Sequence, residues 1–78
     1  MFINKKKRAI KRILLAGEKE ITNAHIMIDF YQWQKDNSPE DATAEELGKL
    51  DLKIKQMEDI IANNQRVNDA FTAFLKQY

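Results

Sequence analysis

The chain has no cysteine, a single proline, two glycines, one histidine and one serine among its 78 residues. Without cysteine there is no disulfide framework, no thiolate metal site and no thiol nucleophile, a composition that fits a reducing cytoplasm. The two glycines, Gly17 and Gly48, are too far apart to form a phosphate-cradling loop. The longest apolar run, Ile13-Leu14-Leu15-Ala16, falls far short of the roughly 20 residues that span a bilayer and of a secretory signal core. The chain is accordingly read as a soluble, unprocessed cytoplasmic protein, with membrane association not expected.

Catalysis has little to work with. His25 and Asp29 lie four residues apart and could offer two metal ligands, but two ligands do not make a site, and the Glu-x-x-His pattern of di-iron bundles is absent. Ser38 has no acid–base partner at a readable spacing. No enzyme activity, no cofactor and no metal is expected.

What the chain does have is a helical repeat. Ahead of Pro39, small or apolar residues recur at alternating steps of three and four at Ile10, Leu14, Gly17, Ile21, Ala24, Ile28 and Tyr31; beyond it the same rhythm runs through Leu47, Leu50, Ile54, Met57 and Ile61. This is the spacing of an antiparallel bundle seam. The expected organisation is one all-α domain over 1–78. Helix 1 covers 4–35, a polar turn 36–43 and helix 2 44–78. Asn4 is the expected cap of the first helix. Two signals compete to start the second: Ser38 with Pro39 at the first helical position, or Thr43 with Glu46 three residues on. Gly17 either lets the helices approach closely or breaks the first helix.

The segment 62–65 leaves two folds open. If the repeat continues, Asn64, Asn68, Phe71, Leu75 and Tyr78 fall on the seam and the chain is a long hairpin, its asparagines setting the register. If the helix breaks near Asn63-Asn64, a third helix forms and the fold is a three-helix bundle. The hairpin is preferred, because no Gly or Pro supplies a second turn. Pairing symmetric about the turn sets Ile28 near Leu50 and Ile21 near Met57.

One stripe per helix leaves Phe2, Ile3, Ile13, Met27, Phe30, Trp33, Phe71 and Phe74 without cover, and a chain this short buries only about 60 to 65% of its unfolded surface. Dimerisation into an antiparallel four-helix bundle is the expected remedy.

Charge is unevenly placed. The first twelve residues hold Lys5, Lys6, Lys7, Arg8, Lys11 and Arg12 and no acid, whereas the remainder carries twelve acids against seven bases. The composition points to a non-enzymatic helical module that binds and regulates or assembles another protein, as a homo-oligomer, with Phe30, Trp33, Phe71, Phe74 and Tyr78 as candidate contacts. A second reading makes the six N-terminal cations a nucleic-acid surface. A third is a structural coiled-coil spacer.

Overall fold

A computed structural model describes residues 2–78 and shows two helices, α1 (Phe2–Asp36) and α2 (Ala44–Leu75), folded back on each other as a rod. Its Cα atoms extend 62 × 14 × 12 Å. α1 passes through Gly17 without a break, and α2 passes through Asn63-Asn64, so the hairpin rather than the three-helix bundle is the fold. Asn4 lies within the first turn of α1 instead of capping it.

The turn shows how each competing signal is used. Ser38 serves the end of α1: its hydroxyl donates to the Gln34 carbonyl at 2.7 Å, while its amide donates to Lys35 O at 3.3 Å. The Asn37 side-chain amide donates to Trp33 O at 2.9 Å. These bonds satisfy carbonyls that the helix end would leave free, and Pro39, which biases Ser38 away from helical backbone, stops further winding. Thr43 begins α2. Its backbone is extended (φ −79°, ψ 157°) and its hydroxyl accepts from the Glu46 amide at 3.1 Å. Glu45 and Glu46 in the first turn complement the helix dipole there.

The seam is the contact between the helices. Ile10, Gly17, Ala24 and Ile61 are buried, and the other seam positions from Leu14 to Tyr31 and from Leu47 to Leu75 are half-buried. Register departs from the symmetric pairing. Gly17 and the Leu14 carbonyl meet Asn68, the Lys53 ammonium lies 5.5 Å from the Tyr31 ring centre, and Lys35 pairs with Asp51. Relative to symmetric pairing, which sets Ile28 near Leu50, α2 is displaced by about six residues, roughly one and a half to two helical turns. The cause lies in the connection: α1 winds on to Asp36 and the chain then climbs through Pro39 before α2 starts at Ala44.

Of the two seam asparagines, Asn64 is satisfied within its own helix, donating to Ile60 O at 2.9 Å. Asn68 crosses to α1, its side-chain amide 3.4 Å from Leu14 O, a long contact that is weak as a hydrogen bond. Gly17 makes room for it. A Cβ at Gly17 would stand 2.8 Å from Asn68 Nδ2 and 2.9 Å from its Cγ, closer than packed atoms tolerate.

The two glycines therefore respond differently to substitution. Gly48 has nothing within 4 Å of an added Cβ, so Gly48→Ala should raise unfolding stability by about 0.5–1 kcal/mol through helix propensity alone. Gly17→Ala should show no such gain in the same urea titration, because Asn68 must be displaced; adding Asn68→Ala should restore it. Equal gains at both glycines would mean that close approach at Gly17 does not limit packing.

Candidate functional site

With only one seam per helix, the sides of the rod decide what is available for contact. Residues spaced by seven share a side of a helix in this packing, and two cross-helix contacts identify which sides are joined. Lys53 over Tyr31 places one flank of α2 beside the α1 flank that carries Ile13 and Met27; Lys35 with Asp51 joins the opposite flanks. The Lys53 flank continues along α2 as Ile60, Val67 and Phe74. On this broad face Ile13, Val67 and Phe74 remain 42–49% exposed, with Met27 and Ile60 half-buried beside them. The other broad face is polar, with Lys11, Glu18, His25 and Gln32 from α1 and Asp51, Glu58, Gln65 and Thr72 from α2, all exposed.

The expected contact residues are not brought into one site. Phe30 and Trp33 lie near the turn, where their rings stack at 6.4 Å with planes 12° apart. Phe74 and Tyr78 meet edge-on at 5.6 Å near the open end. From the cross-helix register the two pairs are roughly 30 Å apart at 1.5 Å per residue. Phe71 is half-buried on the seam and belongs to the packing between the helices. Val67, Ala70, Phe71 and Phe74 line a shallow apolar groove.

A residue not included in the sequence-based set completes the turn-end patch. Ile26 is 58% exposed on the outer side of α1, one turn before Phe30 and two before Trp33, itself 60% exposed. The spacing 26, 30, 33 was present in the sequence as a second helical stripe away from the seam. Ile26 and Trp33 face outward from α1, away from α2, which fits a helix presenting anchors to something else. Leu52, 57% exposed, lies on the outer side of α2.

The basic arm forms the open end of the rod. Register brings Leu75, the last residue of α2, level with about Ile10 of α1, so Phe2–Lys6 project past it and Phe2 is 73% exposed. Lys5, Arg8 and Arg12 share one side of this segment, Lys7 and Lys11 another. Phe2, Asn4, Lys5 and Arg8 line a shallow groove, and the Lys6 ammonium lies 5.3 Å from the Phe2 ring centre. Among the described residues the ion pairs are Lys35–Asp51 and the exposed Lys49–Glu45, neither involving the arm. No acid occurs in the first turn of α1, so the arm's cations add to the positive end of the helix dipole.

Among the described residues no group of three or more His, Cys, Asp or Glu side chains could hold a metal ion, and neither helix is long and apolar enough to cross a membrane. No protein-family model, no curated protein and no solved structure matches this chain.

Proposed function

We propose that the protein is a non-enzymatic helical interaction module whose task is to bind another protein, with Ile26, Phe30 and Trp33 as the anchors. The observation that supports this is the exposed stripe itself. Three large apolar side chains stand in a row on one helix, two of them with stacked rings, beside the polar Asp29, Gln32 and Asp36. Aromatic anchors surrounded by polar groups are the usual source of binding energy at protein interfaces, because they bury large area with little loss of side-chain freedom. A groove nearby, formed by Trp33, Gln34, Pro39, Leu47 and Leu50, extends this surface around the turn.

The expected outcome is a discrete protein captured from cell extract by the immobilised chain and retained at about 0.5 M salt, where exposed charge contacts are screened. Trp33→Ala should release it while leaving far-ultraviolet circular dichroism unchanged, with a loss of at least about tenfold in affinity, the scale of an aromatic hot spot. Equal capture by wild type and variant would sink the anchor assignment.

A second reading rests on the six cations of the arm, none of which takes part in the two ion pairs. Here the arm binds nucleic acid through phosphate contacts. Fluorescence anisotropy of generic DNA and RNA should then give a log–log salt slope approaching about −5 for six phosphate contacts on a duplex, lost when all six positions become Gln. No binding at low salt would eliminate this reading and leave the turn-end stripe unaffected.

A further inference from the structure

We infer that the apolar broad face of the hairpin, built on Ile13 and Met27 of α1 and Ile60, Val67 and Phe74 of α2, is covered by a second copy of the chain lying antiparallel to the first. This surface meets the Ile26–Trp33 edge only at Phe30 and Gln34, and the inference goes beyond the proposed partner site and does not depend on it.

Three observations select this occupant. The rod is electrically polar. Its open end carries the six cations of residues 2–12 with no acid, and the turn end, residues 29–51, carries seven acids against Lys35 and Lys49, a net of −5. A copy turned end for end places each basic arm beside the other's acidic turn, whereas a parallel copy places the two arms together and the two turns together. Opposite potentials meeting across an interface favour encounter, and like potentials oppose it.

The broad side of the rod also has the needed size. Its Cα envelope of 62 by 14 Å amounts to on the order of 900 Å² per copy when the copies overlap along their whole length, polar ends included, comparable with the roughly 800 Å² per partner of a stable interface. Finally, the broad faces differ in kind. The opposite one is polar along both helices, so stacking on the apolar side closes as a two-fold pair and leaves a charged exterior, with no further apolar broad face to propagate assembly.

The two-fold axis that produces this arrangement lies across the rod, so α1 stacks on the second copy's α1 and α2 on its α2. Overlap of the α1 helices within two residues of full sets Ile13 level with the second copy's Met27, and Lys6 level with its Gln34. Glu20 falls beside its own equivalent at the axis, a like-charge contact. The absence of cysteine makes this directly measurable, since each introduced thiol is the only one in its chain.

Light scattering behind a sizing column should give wild type a mass of about 18 kDa, twice the 9.2 kDa of one chain, at tens of micromolar. Under mild oxidation Glu20→Cys should form a covalent dimer with itself, and an equal mixture of Lys6→Cys and Gln34→Cys should form mixed dimers. Lys6→Cys alone should form none. The positions are polar and lie on the flanks rather than the seam, and each reduced variant should keep the wild-type mass and helicity. A 9 kDa mass for the wild type overturns the inference and leaves the face to another protein. So does self-linking of Lys6→Cys, which reports a parallel pair.

Discussion

Two helices lying side by side can bury one stripe each and no more, and the rest of this structure follows from that limit. A third helix would create a line where three seams converge and large side chains could be enclosed. Here there is no such line. Among the described residues the buried set is confined to Ile10, Gly17, Ala24 and Ile61, two of them with little or no side chain, and most hydrophobic area stays at the flanks, partly shielded. At Gly17 the lack of a side chain lets Asn68 of α2 approach the α1 backbone, which improves van der Waals contact there at the expense of buried apolar volume. A fold so built holds its shape through length and register rather than through a deep core. The same limit is why an unburied apolar broad face remains.

Charge is graded along the rod, while across it Lys35 pairs with Asp51. Glu45 and Glu46 begin α2 and Lys35 ends α1, each with the charge that its helix terminus favours. At the other end the six arm cations oppose the dipole of α1. The chain thus gathers mutually repelling positive charge at the end where α1 projects beyond its neighbour, a place that only a negative surface would relieve. The proposed antiparallel pair and the nucleic-acid reading both answer that demand, with a different negative surface in each.

The seam was legible because heptad spacing in both segments is a local property of the chain, and Asn64, Asn68, Phe71 and Leu75 follow it through the second half of α2. The role of Gly17 as a close-approach residue was legible in part, since a seam glycine allows close approach, but its partner was not. Asn68 was expected to help set register together with Asn64; the structure separates them, as Asn64 turns back to its own helix. The aromatic candidates were found by residue type. Their division into a stacked pair at the turn, an edge-on pair at the open end and a seam residue, Phe71, depends on where each falls around the helix and along the rod.

The sequence by itself determined the helical class, the single reversal at Pro39 and the stripe each helix turns inward, because these follow from the 3.6-residue period and from what proline does to its neighbours. Only the tertiary structure decided the axial offset between the helices, and with it which residues face one another. That offset is the outcome of how far α1 winds before Asn37 and Ser38 close its end, how the chain climbs past Pro39, and how Asn68 fits against Gly17. Such terms involve residues distant in the chain. They also decide that the flanks carrying Met27 and Val67 lie on one broad face, because a flank becomes part of a surface only once its neighbour is in place.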